Sequence, residues 1–327
     1  MVTAHGWKLP ATLALAFVPQ LAAAQAAPPY PTKPIRIIVP FAPGGGTDVT
    51  ARIFGQKFME TFGQNVVVDN RPGAGGNIGT ELAARATPDG HTLLMVVSSH
   101  SINVSLYKKV AYDPVKDFAP VSLVAMAPSI FVSHPAAPFT SMRDLIAQAK
   151  AKPGQINYAS PGSGTPQHLA MELFNVMAGV KILHVPYNGG GPATTATVAG
   201  QVPLLNSSLP SALTQVRAGR LKPLAVTSPK RTPLAPDIPT VAESTSLTDY
   251  EADVYYGLLA PAGTPAAIVR RLNAEIERVL EIKEVRDRLV QIGFEPKRNT
   301  PEQFMDMIKA EIVKWDRVIK ESGAKAD

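Results

Sequence analysis

The stretch IRIIVPFAPGGGTD, Ile35 to Asp48, joins a β-branched apolar run to a turn of proline and glycine and then to a threonine and an aspartate. The apolar run predicts a buried strand ending near Pro40, and the glycines predict a tight turn. Beyond it, Ala51, Phe54, Phe58 and Phe62 recur at helical spacing and predict one apolar helix stripe. Strand, glycine turn and helix together are a βα unit. INYASPGSGTPQHL, Ile156 to Leu169, repeats the arrangement, with Pro166 placed to open a helix.

Working outward, NVVVD (Asn65 to Asp69) and TLLMVV (Thr92 to Val97) supply further strands, with a short helix over 78–86 between them. The pattern restarts after Val121. ILHVPY (Ile182 to Tyr187), VPLLNS (Val202 to Ser207) and LAVTS (Leu224 to Ser228) alternate with helical stretches near 141–151, 166–178, 191–199 and 209–219. Such alternation predicts α/β architecture in two lobes. After VYYGLLA (Val254 to Ala260) the chain is nearly all helix. Thr264 and Pro265 read as N-cap and first helical residue before Ile268, Leu272, Ile276 and Val279. Thr300 and Gln303 read as a capping box before Phe304, Ile308, Ile312, Trp315 and Ile319. This helical tail is expected to pack back on the first lobe. The chain then crosses between lobes near 120–130 and 250–258, a two-strand hinge of the kind that closes around ligands. The expected division is 1–26 as leader, 27–122 with 256–327 as lobe one, and 123–255 as lobe two.

The leader follows from Lys8, an apolar run from Leu9 to Ala24, and the small residues Ala22, Ala24 and Ala26 in cleavage spacing. It implies export of the mature protein. No other segment reaches the ~18 apolar residues of a spanning helix. The absence of Cys in 327 residues removes disulfides, thiolate metal sites and cysteine nucleophiles, and with them any lipid tether on a cysteine. Net charge is +6, but the basic residues interleave with acids, as in KAEIVKWDRVIKE (Lys309 to Glu321), which argues against nucleic acid. His91, His100, His134, His168 and His184 show no metal-binding spacing, so neither metal nor cofactor is expected.

Both glycine turns precede helix N-termini, whose first N–H groups carry partial positive charge and suit a carboxylate or phosphate. PFAPGGGTD lacks the lysine of a Walker A loop. NRPGAGGNIG, Asn70 to Gly79, has dinucleotide-like glycine spacing, but Pro72 intervenes after the strand and no acidic residue ends TLLMVV, so a structural turn is the better reading. Ser163 stands in a near-elbow motif with His168 close by, which leaves a secreted serine hydrolase as an alternative.

The segments YPTKPIRIIVPFAPGGGTDVTAR, NVVVDNRPGAGGNIGTELAARATPDGHTLL, NYASPGSGTPQHLAMELF, HVPYNGGGPA and GLLAPAGTP, in that order, resemble the tripartite tricarboxylate transporter substrate-receptor (Bug) family of periplasmic solute-binding proteins. The resemblance implies a type II, Venus-flytrap fold with a mixed sheet in each lobe. It implies a monomer without chemistry of its own that captures a small carboxylate and delivers it to a permease with one large and one small integral subunit. A sensor partner for a two-component system is the other reading of the same binding event.

Carried over from the resemblance, the ligand is bordered by Pro43, Gly44, Gly45, Gly46 and Asp48 on one side. On the other it is bordered by Ser160, Gly162, Gly164, Thr165 and His168, with Tyr187 and Asn188. Ser98 and Ser99 are placed at the same cleft edge. Two positions depart from the family pattern: Ser207 stands where relatives often carry Asp, and Tyr255 where they often carry Trp. Without that acid an ammonium group loses its natural partner, so an unaminated carboxylate is expected.

Overall fold

The computed structural model describes residues 1–6, 30–187 and 189–326. The apolar run and cleavage pattern of the expected leader lie outside the described residues, as does Asn188. Two compact units are separable, Met1–Tyr30 and Pro31–Asp327. The described residues of the first hold neither helix nor strand. Everything below concerns the second.

The chain runs through β1 (Ile35–Val39), α1 (Gly46–Phe62), β2 (Val66–Asn70), α2 (Asn77–Ala84), β3 (Thr92–Val97), α3 (Ser99–Leu106) and β4 (Phe118–Ala127). Next come β5 (Ser129–Ser133), α4 (Met142–Ala151), β6 (Asn157–Ser160), α5 (Pro166–Ala178), β7 (Leu183–Pro186), α6 (Gly190–Val198), β8 (Leu204–Ser208), α7 (Leu209–Arg217), β9 (Lys222–Val226) and α8 (Val241–Ser244). It ends with β10 (Val254–Pro261), α9 (Ala266–Glu281), α10 (Lys283–Gln291), β11 (Glu295–Pro296) and α11 (Pro301–Ser322).

These strands form two mixed sheets, ordered β11-β4-β10-β3-β1-β2 and β7-β6-β8-β5-β9. In the first, β1 pairs in parallel with β2 and β3, while β10 runs antiparallel to β3 and β4. In the second, β6 pairs in parallel with β7 and β8, while β5 runs antiparallel to β8 and β9. Helices cover both faces of β1, which is why Ile35, Ile37, Ile38 and Val39 are all fully buried rather than alternating. The stripe of α1 buries Ala51, Phe54 and Phe58; Phe62 stays partly exposed and tilts against Phe58, ring centroids 5.5 Å apart.

The change of sheet falls at Pro128, between β4 and β5, and again at Asp253, just before β10. The two crossings are knitted together. Ser129 N–H donates to Thr227 Oγ1 at 2.8 Å, Thr227 N–H to Ser129 O at 3.0 Å, and Ala252 N–H to Thr227 O at 3.1 Å. The expected boundary at 122 thus lies inside β4, which continues in the first sheet to Ala127.

Three readings need correction. The α9 helix begins one residue late: Pro265 is its N-cap, and Thr264 Oγ1 instead donates to Pro261 O at 2.8 Å. Residues 283–291 form α10, which the apolar pattern did not single out. The tail helix α11 does not pack on the first sheet alone. Phe304, Met305 and Ile308 pack with Tyr255 and Leu259 of that sheet, but Trp315, Val318 and Ile319 join the core of Phe131, Phe174 and Tyr250 beside the second. The stripe is continuous, so its division between two cores is a tertiary fact. The capping box of α11 forms as expected: Gln303 N–H donates to Thr300 Oγ1 at 3.3 Å and Thr300 N–H to Gln303 Oε1 at 2.9 Å.

Candidate functional site

Helices that follow parallel strands begin at the strands' C-terminal edge. Here α1 follows β1, α2 follows β2, α3 follows β3, α5 follows β6, α6 follows β7 and α7 follows β8. Both crossings reach the same edges, since Tyr256 lies opposite Val97 and Ser129 opposite Ser208. Six helix N-termini therefore gather where the chain changes sheet, the position at which open α/β folds bind ligands. The halves touch there: a Cβ at Gly164 would sit 3.0 Å from Leu106 Cδ2 of α3, and one at Gly293 2.6 Å from Pro210 Cγ of α7.

On the first edge, Pro43, Gly44 and Gly45 are exposed and Gly45 is the N-cap of α1. Asp48 is only 3% exposed, and its carboxylate is spent on the turn. It accepts Gly44 N–H at 3.0 Å and two bonds from Arg52, at 3.0 Å from Nε and 2.9 Å from Nη2. Burial pushes this carboxyl up, but Arg52, the Gly44 N–H and Asn70 outweigh it and hold the group below the usual carboxylate range. Asp48 thus shapes the loop, and the first-turn N–H groups of Gly46 and Thr47 have no intrahelical acceptor. Gly46 is wedged beneath Tyr256 and Phe294: a Cβ would lie 3.0 Å from Tyr256 Oη and 2.9 Å from Phe294 Cζ. Ser98 is fully buried and its Oγ accepts Tyr255 N–H at 3.0 Å, tying α3 to the hinge strand. Ser99 is buried at the start of α3.

On the second edge the side chains again shape the loop. Ser160 Oγ lies 2.6 Å from His184 Nε2 and accepts Gly162 N–H at 3.1 Å. Thr165 Oγ1 donates to Gly162 O at 2.7 Å and caps α5 by accepting His168 N–H at 3.3 Å. Gly164 N–H donates to His168 Nδ1 at 3.3 Å. Ser160 and His168, expected at the ligand, are buried inside the wall, whereas Gly162, Ser163 and Thr165 are half-exposed. Tyr187 is half-exposed, and its N–H donates to Ser160 O at 3.1 Å. Ser207 is buried on β8, opposite Ile130, and its hydroxyl has no partner among the described residues.

Three contributors were missed in the sequence. Tyr256 roofs Gly46, and His184 holds Ser160 across 24 positions. Asn103 on α3 donates to Gly75 O and Asn77 Oδ1, both at 2.9 Å, while its Oδ1 is buried without a partner among the described residues. Asn103 thereby ties the NRPGAGGNIG turn to α3. Only the HVPY motif signalled His184, and nothing local told that its partner was Ser160.

The hydrolase arrangement does not form. A serine nucleophile needs a base within hydrogen-bond reach. His168 Nδ1 is taken by Gly164 N–H, its Nε2 faces Glu172 Oε1 at 4.0 Å, and burial with the neighbouring His184 pushes its pKa down to about 3. Among the described residues no group of three or more His, Asp or Glu is placed to hold a metal.

Two mixed sheets, crossed twice and edged by helix N-termini, define a two-lobed binding protein. A sequence profile described as tripartite tricarboxylate transporter family receptor matches residues 50–324. BugT of Bordetella pertussis is 38% identical over 307 residues, 93% of this chain and 94% of that protein. An R. palustris protein solved with adipate superposes with TM-score 0.83 at 36% identity, covering 90% of this chain and 99% of the other. MatC from Rhodopseudomonas palustris, solved with bound malate, gives 0.79 at 33% identity, covering 89% and 100%. The chain belongs to the tripartite tricarboxylate transporter receptor family, which comprises periplasmic solute-binding receptors and not enzymes.

Proposed function

We propose that this chain is exported, with its first 26 residues as the leader, and captures a small carboxylate between a lobe of residues 27–127 with 254–327 and a lobe of residues 128–253. It hands the solute, as a monomer, to a membrane transporter of one large and one small integral subunit. The observation that carries the reading is the gathering of six helix N-termini at the edges where the chain changes sheet. Each presents N–H groups without an intrahelical partner, and their dipoles favour an anion. Arg52, one turn further along α1, is already paired with Asp48, so the carboxylate is held by neutral donors rather than by this cation. That the two relatives were solved with adipate and with malate supports this ligand class. Ser207 in place of an acid supports an unaminated ligand, because an ammonium group would meet no counter-charge there.

The test is Gly45→Val. Gly45 is exposed, its φ of −78° suits any residue, and a Cβ there meets only Ala42 O at 3.9 Å, so the fold tolerates the change. The added branches crowd the space a carboxylate must enter to reach the first-turn N–H groups. We expect unchanged melting of the ligand-free protein and an affinity loss of about 100-fold, about 2.7 kcal/mol. Unchanged affinity would remove the first loop from the site.

A further inference from the structure

The loop after β6 is held by a circuit that closes on itself. His184 on β7 meets Ser160 at 2.6 Å, Ser160 accepts Gly162 N–H, and Gly162 O accepts the Thr165 hydroxyl. Thr165 in turn accepts His168 N–H, and His168 Nδ1 accepts Gly164 N–H. The circuit returns to its start through the rings: His168 stacks on His184 with centroids 4.0 Å apart and planes 16° apart. On its other side His184 stacks on Tyr158, at 4.9 Å and 24°. Tyr158 donates to Glu172 Oε1 at 2.7 Å, which anchors the stack to α5. Gly164 adopts φ +77° with Leu106 against it, so the turn accepts no side chain and depends on these bonds for its shape.

We infer that His184 is a positioning residue of the binding site: its neutral ring, clamped between Tyr158 and His168, holds Ser160 and through it the Gly162–Thr165 turn in the form that meets the ligand. His184 touches no solute itself; it acts through Ser160. Burial keeps its ring uncharged, with its pKa pushed down to about 4. The role rests on the proposed carboxylate site only for its effect on affinity; the effect on the loop is independent of any ligand.

Two substitutions separate positioning from packing. His184→Phe keeps a ring between Tyr158 and His168 but cannot bond Ser160. His184→Gln gives up the ring but carries a polar group to the position of Nε2. Amide hydrogen exchange of the ligand-free protein is read at Gly162 and Gly164. Calorimetry with adipate and with malate is run alongside. Positioning predicts exchange at both glycines at least about tenfold faster in His184→Phe, with affinity for the binding probe about tenfold lower, and substantial recovery of both in His184→Gln. The opposite pattern, with His184→Phe like wild type and His184→Gln impaired, would show that the ring merely fills space and overturn the inference. If His184→Phe does not fold, Ser160→Ala removes the same bond from its other end, and Gly164 exchange carries the test: protection like that of wild type overturns the inference. Should neither probe bind the wild-type protein, adipate and malate are excluded as its solutes, while the exchange result still decides the role of His184.

Discussion

Gly257→Ala is expected to lower the melting temperature by about 5 °C through a single added methyl group in the first sheet. Gly257 sits on β10, between β3 and β4, where the ladder shifts register. A Cβ there would lie 2.1 Å from Phe304 Cζ and under 3 Å from both Cε atoms of the ring. Phe304 has nowhere to retreat: it is buried in the core with Leu259 and Met305, edge-on to Tyr255 with centroids 6.0 Å apart. Either the ring or β10 has to move. Overpacking of this kind costs about 3 kcal/mol, which in a unit of this size corresponds to about 5 °C. Phe304→Leu, harmful alone because it empties the same space, is expected to recover part of the loss when combined with Gly257→Ala. Thermal denaturation of the two single variants and the double variant checks this; a Gly257→Ala protein that melts like wild type contradicts it.

Acid should destabilise the protein well before its ordinary carboxylates titrate. Burial pushes His100 down to about 4 and His184 to about 4, while burial and the neighbouring His184 push His168 down to about 3. His100 is locked as a neutral ring: Nε2 lies 3.0 Å from Pro114 O, and the ring stacks on Tyr112 and meets Phe118 edge-on. A group whose folded pKa lies below its unfolded value contributes stability in full above the unfolded pKa, near 6.5, and loses it as pH falls toward the folded pKa. At about 1.4 kcal/mol per unit, His100 alone removes about 3 kcal/mol by pH 4, and the other two add to it. Asp253 works the other way. Burial and the charges of Glu251 and Glu295 raise it to about 7, so the folded state holds a proton that the unfolded chain releases above about pH 4. At pH 5 unfolding should thus take up about two protons net, three on histidines less one from Asp253. Urea unfolding at a series of pH values from 7.5 to 4 reads this as a fall of several kcal/mol. Stability that is flat between pH 7 and 5 would mean that these histidines are already charged in the folded protein.

The parts of the fold that sequence made legible are those with a local signature. IRIIV followed by proline and glycine, and NYAS followed by the PGSGT turn, announce strand, turn and helix because each signal acts within a few residues. Thr300 and Gln303 could be read as a capping box for the same reason. FAPVSLVAMAPSIFVS (Phe118 to Ser133) was not resolved into strands, since an apolar run broken by prolines does not say that β4 and β5 belong to different sheets. At the site, the glycine turns were legible and the use of their side chains was not. Asp48, Ser160 and His168 belong to the loops as expected, but their polar atoms bond within the protein. Two of the partners concerned, Arg52 and His184, look in sequence like an ordinary helix cation and an ordinary strand residue. Hydrogen bonds that close over 24 positions leave no periodic mark.

The claim at the centre of this account is that neutral helix N-termini hold a carboxylate. The most direct measurement is a titration of protein freed of any copurified ligand by unfolding and refolding, against a panel of small mono-, di- and tricarboxylates and their neutral amides. The account predicts one-to-one binding of at least one carboxylate, stabilising the protein by about 2.7 kcal/mol at one hundred times its dissociation constant. The ligand is recovered unaltered and its amide does not bind. Binding of the neutral amide as tightly as the acid, or no saturable binding across the panel, would contradict it.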